Sequence, residues 1–411
     1  MGDREPPPAP PGRRVLQVID SLARAGAEQS LVVLAPHLVA AGVDLHVAYL
    51  VERDGLRPEL ERIGVPVTSL APPDGRRHRR WWYRRLRELI AAVGPDVVHT
   101  TLFEADLAGR RAAAHAGVPC VSSLVNSTYD RGQARRDGVS WLKLRAAQAV
   151  DALTARRVAR FHAVTDHVAR VMSRRLLVPR SRVEVIPRGR DPEALGRRDP
   201  ARARTVRAGL GVPDGVPLVL AVGRQEPQKG FDVLLRALPQ VRARFPDLRV
   251  VVAGREGRAT DELARLVAAG GLGDAVTFLG VRDDVPDLLA AADVFAFPSR
   301  REGAGGTLLE AMALECPVVA SDLPTLREVV DPATARLVRP GDADDLARGL
   351  VEVLADPAGA AARARDARAR FEQGWTVQAT ARRWVAFYDR VVREARGTRA
   401  AALAGASPPA Q

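Results

Sequence analysis

Two segments of the chain gather side chains suited to a phosphorylated ligand. In AVGRQEPQKGFDVLL, Arg224 follows an apolar run and Lys229-Gly230 precede a helical pattern. An arginine there is a two-pronged donor to phosphate, a lysine is a mobile point charge, and the helix start behind them offers backbone N–H groups. Lys229 stands out because Lys143 and Lys229 are the only lysines among 62 basic residues. In PSRREGAGGTLLEAMA, Glu302 and Glu310 flank seven residues that include Gly303, Gly305 and Gly306. A glycine-rich turn running into a helix presents N–H groups to an anion, and a carboxylate on either side accepts hydrogen bonds from sugar hydroxyls. Plainer readings stand beside these. Arg224 also reads as a solvated charge, Glu302 as a loop carboxylate, and Thr307-Leu-Leu-Glu310 as a capping box. The two glutamates with three glycines after a strand end are more specific than either residue alone.

The elements that must position these residues alternate along the chain, as in parallel α/β folds. Strands are expected at Val15–Asp20, Leu45–Leu50, Val65–Leu70, Asp96–Thr100, Cys120–Leu124, Phe161–Val164 and Val183–Ile186. Helical stretches fall between them at Glu28–Ala41, Tyr83–Val93 and His167–Leu177. The alternation restarts after the Arg- and Pro-containing segment 187–216. Strands follow at Pro217–Val222, Leu248–Ala253, Val276–Leu279, Val294–Phe297 and Val318–Ala320, with a helix at Phe231–Arg244. Two such series imply two doubly wound domains with a boundary near 190–215. A last helix, about Val377–Arg396, has no strand after it and must pack on one of them. Open parallel sheets bind ligands beyond the carboxyl ends of their strands. Asp20, the AGAE turn Ala25–Glu28, His99, Asn126, Gly223-Arg224, Gly254 and Pro298-Ser299 all fall there. If the two edges face each other, these residues line one cleft.

Composition narrows the function classes. At 411 residues the chain suits two domains, and 46% hydrophobic with 27% charged residues is globular composition. Of the formal +13, residues 1–200 carry +11, which suits an anionic partner on the first half. Cys120 and Cys316 sit in strand-like apolar runs and give no disulfide framework, which fits a reducing cytoplasm. No apolar run approaches the roughly 18 residues of a membrane span. The Pro-rich start reads as a disordered leader, and the Ala- and Gly-rich tail beyond Arg396 as disordered too. No G-x-G-x-x-G follows an early strand and no P-loop is present. Asp342-Ala-Asp344-Asp345 opens a helix after Pro340-Gly341, where acidic residues suit the dipole rather than a metal. No histidine has ligand spacing.

VGRQEPQKGFDVLLRAL and the stretch from VTFLGVRDDVPDLL through EGAGGTLLEAMALECPVVASDLPTLREVV resemble the donor half of family-four glycosyltransferases of the GT-B fold. The AGAE turn, PDVVHTT, FHAVTDHV and VIPRGRD resemble that family's first-domain landmarks, in order, so the resemblance covers roughly residues 14–395. It implies two Rossmann-like domains facing a cleft: a leader 1–13, an acceptor-side domain 14–196, a nucleotide-sugar domain 197–376, a helix 377–396 crossing back to the first domain, and a tail 397–411. It also implies retaining, metal-independent hexosyl transfer without a cofactor, the nucleotide-sugar being the donor substrate. Arg224 and Lys229 would hold the diphosphate, Glu310 the ribose and Glu302 the transferred sugar. The backbone of Gly303, Ala304, Gly305, Gly306 and Thr307 would face the donor, Val281-Arg282 would lie near the base, and Gly26 would approach the phosphates from the other domain. The catalytic set would be Glu302, Arg224, Lys229 and Asn126. This chain has Val125 and Asn126 where members often carry a histidine, Thr101 where a second histidine is common, Arg188 for Asn, and Ala304 for an aromatic.

On the acceptor side, His99 and Asn126 are candidates, and the acceptor is expected to be a glycan or lipid-linked hydroxyl of the cell envelope. The cluster Arg76-Arg77-His78-Arg79-Arg80-Trp81-Trp82-Tyr83-Arg84-Arg85 suits an anionic membrane interface, hence a cytoplasmic protein held on the inner face of the membrane. The plainer reading is a solvated helix start whose tryptophans pack inward. Three other functions compete: an inactive donor-binding homologue, suggested by Val125; a nucleotide-sugar epimerase; and a nucleic-acid-binding surface, which no motif accompanies.

Overall fold

Short apolar runs, rich in Val and Leu, form strands here because both faces of each sheet are covered. The computed structural model describes residues 13–53, 55–75, 78–136 and 138–404. In the first half the strands are β1 (Arg14–Ile19), β2 (Asp44–Tyr49), β3 (Val67–Ser69), β4 (Val97–Thr101), β5 (Cys120–Leu124), β6 (Arg160–Ala163) and β7 (Val183–Val185). They form one parallel sheet in the order β3-β2-β1-β4-β5-β6-β7. Pairing of Gln17 with His99, and of Ser123 with both Thr101 and His162, puts these polar side chains on one face. Thr100, Ser122 and Phe161 alternate onto the other.

The second half repeats the scheme with β8 (Leu218–Val222), β9 (Arg249–Ala253), β10 (Val276–Gly280), β11 (Val294–Phe297), β12 (Val318–Ser321) and β13 (Arg336–Val338). The order is β10-β9-β8-β11-β12-β13, all parallel. The strand order reverses between β1 and β4 in one sheet and between β8 and β11 in the other. Those switch points open a crevice at the strand carboxyl ends. Separate apolar cores cover the two faces of each sheet.

The chain divides into two units, one running to Gly189 and resuming at Val377, the other spanning Arg190–Thr376. Residues 190–196, expected in the first domain, thus belong to the second. Leu195 packs in its core, and the Arg190 N–H donates to Trp375 O at 2.9 Å. The helix Val377–Ala404 sits in the first unit, with Trp384, Phe387, Tyr388 and Val391 in its core, and runs on past the end expected at Arg396. The expected leader, but for Arg13, and the tail beyond Ala404 lie outside the described residues.

Candidate active site

At the carboxyl edge of the second sheet, glycines allow three backbone segments to meet. Gly254 (φ 146°) follows β9, and a Cβ there would stand 1.9 Å from Gly223 O; Gly230 (φ 68°) would place one 2.1 Å from Pro298 O. The turn 227–230 is therefore pressed against the end of β11. Arg300 fastens it there: its N–H donates to Gln228 O at 2.8 Å, and its guanidinium donates to both Asp232 carboxylate oxygens at 2.6 and 2.7 Å. Burial alone would raise the Asp232 carboxyl, but the hydrogen bonds and charge of Arg300, aided by Arg236, hold it below the ordinary carboxylate range.

That junction sets Lys229 against Glu302. Lys229 Nζ donates to Glu302 Oε1 at 2.7 Å, and the Ser299 hydroxyl donates to the same oxygen at 2.7 Å. The Thr325 hydroxyl holds the Glu302 carbonyl at 3.0 Å, and Lys229 Nζ lies 5.6 Å from the Phe297 ring centroid. Both partners of the ion pair are largely buried, so screening is weak and orientation tight. Arg224, more exposed, lies 4.0 Å from Glu226, which also pairs with Arg258 at 2.9 Å.

The turn after Glu302 enters the helix Gly306–Ala313 with Gly305 (φ 61°) as its N-cap. Thr307 is thus inside the first turn, and the capping-box reading of Thr307 and Glu310 does not hold. Instead Arg190 Nε donates to Glu310 Oε1 at 2.6 Å. A Cβ on Gly306 would stand 2.2 Å from an Arg190 guanidinium nitrogen, so the glycine makes room for that arginine. The helix start leaves its first N–H groups without intrahelical acceptors, aimed where an anion is stabilised. Val281 and Arg282 follow the edge strand β10; Val281 is exposed and Arg282 pairs with Asp284.

In the first unit, a chain of hydrogen bonds runs under the last helix: Tyr388 OH, His99, Ser123, His162 and Ile186 O, at 2.7–2.8 Å each. The terminal carbonyl can only accept, and burial keeps both imidazoles neutral, which together fix every donor. His162 Nε2–H donates to Ile186 O, Ser123 donates to His162 Nδ1, His99 Nε2–H donates to Ser123, and Tyr388 donates to His99 Nδ1. Burial pushes their pKa values down, to about 4 for His162 and well below the ordinary value for His99. Trp384 lies over both rings, at 4.9 and 4.4 Å between centroids. The chain borders a cavity of about 70 Å³ that also touches Val125, Thr101 and Arg188, roomy enough for several waters. Asp20, just past β1, accepts from the Ala105 N–H at 2.7 Å. Burial raises its carboxyl to about 7, against the pull of that bond.

Two of the sequence-derived sites need correction. Trp82 is fully buried and its indole N–H donates to Leu50 O at 3.0 Å, because helical spacing sets Trp82, Leu86 and Ile90 on the inner face of Arg79–Val93. Trp81 is partly covered and donates to Leu70 O. The buried Trp82 ring is not free to sit among lipid head groups. Arg79, Arg80, Arg84 and Arg85 are exposed, with Arg79 paired to Glu104 and Arg85 to Glu88. Arg76 and Arg77 lie outside the described residues. His99 has both ring nitrogens engaged inside the unit, whereas Asn126 is exposed beyond β5.

Residues 216–356 match the family model described as glycosyl transferases group 1, and residues 24–194 match glycosyltransferase family 4. The D-inositol 3-phosphate glycosyltransferase of Mycolicibacterium vanbaalenii is 32% identical over 332 residues, 75% of this chain and 70% of the relative. The chain belongs to the family-four glycosyltransferases. A GDP-mannose-dependent monoacylated α-(1-6)-phosphatidylinositol monomannoside mannosyltransferase of Corynebacterium glutamicum is 37% identical over 47% of this chain. That match spans only 52% of the relative, and the match to a phosphatidyl-myo-inositol mannosyltransferase of Mycolicibacterium smegmatis only 44%, so the chain spans about half the length of such relatives. The structure of Anabaena HepE with UDP and glucose superposes with a TM-score of 0.80 at 23% identity, over 92% of this chain and all of that one. Sucrose-phosphate synthase from Thermosynechococcus elongatus gives 0.77 at 22%, over 93% of this chain and all of that one. The fold is GT-B.

In this family-four glycosyltransferase the second unit brings Lys229, Glu302, the Gly303–Thr307 turn, Glu310 and Arg190 into one stretch of the sheet edge. Gly26, Asn126 and His99 lie in the first unit. There an added Cβ on Gly26 would stand 3.1 Å from an Arg188 nitrogen. Ala304 is buried within that turn. Arg190 and Thr325 escaped sequence reasoning, and Ser299, noted only as a strand-end residue, is found bonded to Glu302. Arg190 sits two residues beyond the noted Arg188 in VIPRGRD, and only the fold shows which arginine meets Glu310.

Proposed function

We propose that this protein transfers a hexose from a nucleotide-sugar to a hydroxyl acceptor with retention of configuration, and without a metal. The observation that carries the reading is the Lys229–Glu302 pair, locked by Ser299 at the carboxyl edge of β8 and β11. Lys229 has two N–H donors beyond the one given to Glu302, and with Arg224 they suit a diphosphate. Glu310, held by Arg190, suits the ribose hydroxyls, and the remaining Glu302 oxygen suits a sugar hydroxyl. In the reaction, the bond from the anomeric carbon to the phosphate oxygen breaks and the acceptor oxygen bonds to that carbon on the same face. The acceptor proton passes to the departing phosphate, so no protein base is required. The positive charge at Lys229 and Arg224 stabilises the negative charge that grows on the leaving group.

Relatives named for inositol phosphate and phosphatidylinositol mannosides support a phosphorylated or lipid-linked acceptor of the cell envelope. The basic first half agrees with that, as does peripheral attachment to a membrane from the cytoplasmic side. No helix among the described residues is long and apolar enough to cross a membrane. A transfer assay with myo-inositol phosphate and phosphatidylinositol acceptors, each with GDP- and UDP-sugars in the presence of a chelator, tests the reading. Glycoside formation with retained anomeric configuration is expected. It should fall on the order of 100-fold in kcat for Glu302→Gln and for Lys229→Ala. Release of free sugar nucleotide epimer without glycoside would instead establish the epimerase.

A further inference from the structure

The surface of the first unit carries an apolar stripe that the donor site does not use. Among the described residues seven large hydrophobic side chains are exposed, and four of them, Val139, Leu142, Val150 and Leu153, lie in one stretch. The last three stand on the helix Trp141–Ala155, with Leu142 78%, Val150 44% and Leu153 56% exposed. Spacing explains the pattern. Leu144, Gln148, Asp151 and Ala155 turn inward. Leu142, Ala146, Ala149, Val150 and Leu153 follow i, i+4, i+7, i+8, i+11 on the opposite face. The helix is thus apolar on two sides, one of them covered by the protein.

Cations border the outward face. On the helical wheel Lys143 and Arg145 flank the stripe on either side, and Arg156 and Arg157 follow its end, all exposed. Asp151, the one acidic residue of the helix, is buried and bonded to Arg110 and Tyr129. Trp141, partly exposed at the helix start, has the Arg131 and Arg145 guanidiniums each 5.7 Å from its ring centroid. Gln148 donates to Arg175 O at 2.7 Å, which fixes the end of the helix Asp166–Arg175 alongside. Leu177, just past that end, is 78% exposed at φ 55°, a conformation a leucine adopts at a cost and that glycine would take freely.

We propose that the helix Trp141–Ala155 lies on an anionic membrane surface, its Leu142–Leu153 stripe among the acyl chains and its lysine and arginines at the phosphates. An apolar face with cations at both edges and a tryptophan at one end is the composition of an interfacial helix. A protein partner of matching apolarity would not call for cations along both margins without acids among them. The inference rests on the lipid-linked acceptor proposed above and moves the membrane contact away from Arg79–Val93, whose Trp82 is buried.

Co-sedimentation with vesicles of phosphatidylcholine alone, and of equimolar phosphatidylcholine and phosphatidylglycerol, tests it. Three proteins are compared: the wild type, the double variant Leu142→Gln/Leu153→Gln, and a variant with Arg79, Arg80, Arg84 and Arg85 changed to Gln. The wild type should pellet with anionic vesicles, and less so as salt rises. The leucine variant should lose on the order of tenfold or more of that partitioning, while the arginine variant keeps most of it. The idea is overturned if the leucine variant pellets like the wild type, if only the arginine variant loses binding, or if the wild type does not pellet. It is equally overturned if the wild type elutes as a dimer that the leucine substitutions dissolve, since the stripe would then join two copies. Nucleotide-sugar thermal shifts on the same preparations separate this from the donor reading: a leucine variant that keeps its donor shift is folded, whatever the vesicles show.

Discussion

Single residues of the candidate site stand out in the sequence because their types break local habits. Lys229 interrupts a chain written in arginine, and Glu302 and Glu310 bracket glycines after a strand. Which partner each would meet was not legible, since Arg190 and Glu310 are joined across 120 positions of sequence. Asp20 shows the same limit: its type and place were visible, its burial was not. A carboxyl raised from 3.8 to about 7 favours the fold while protonated, and that favour is lost as pH rises from about 4 to 7. Asp20→Asn keeps an acceptor for the Ala105 N–H and removes the charge. The variant should be more stable than the wild type by about 2–4 kcal/mol at pH 8 and nearly equal to it at pH 4, read by denaturant midpoints. A difference unchanged with pH would show that Asp20 ionises freely.

At the scale of elements, β-branched runs and helical spacing placed the strands of both sheets within a residue or two, except β13. Arg336–Val338 is three residues long and begins with an arginine, too short and too polar to register as a strand. The basic cluster around residue 80 misled in the opposite direction, because charge density drew attention from spacing. Trp82, Leu86 and Ile90 recur every fourth residue, and that period, not the arginines, decides which face is buried. Trp82→Ala should therefore cost about 3–5 kcal/mol of stability by leaving a cavity and an unpaired Leu50 carbonyl. Substitution of the exposed Arg84 by Gln should change the unfolding midpoint little.

For the whole molecule, two repeats of one architecture were readable from the restarted alternation, and so was a last helix in need of a partner. Its role inside the first unit was not. Trp384 and Tyr388 complete a core and close the hydrogen-bond chain that begins in β4, β5 and β6. Tyr388→Phe keeps the packing and leaves His99 Nδ1 without its donor. A loss of about 1–3 kcal/mol is expected in chemical denaturation. No change would mean that water already serves that nitrogen.

The central claim is that the second unit binds a nucleotide-sugar through Lys229 and Glu310. Thermal unfolding with UDP-, GDP-, ADP- and TDP-sugars, each near 100 times its dissociation constant, measures it, since such saturation adds about 2.7 kcal/mol to the folded state. One nucleotide should raise the wild-type midpoint and leave Lys229→Ala and Glu310→Ala unmoved. A folded wild type indifferent to every donor, or equal shifts in both variants, would contradict the account.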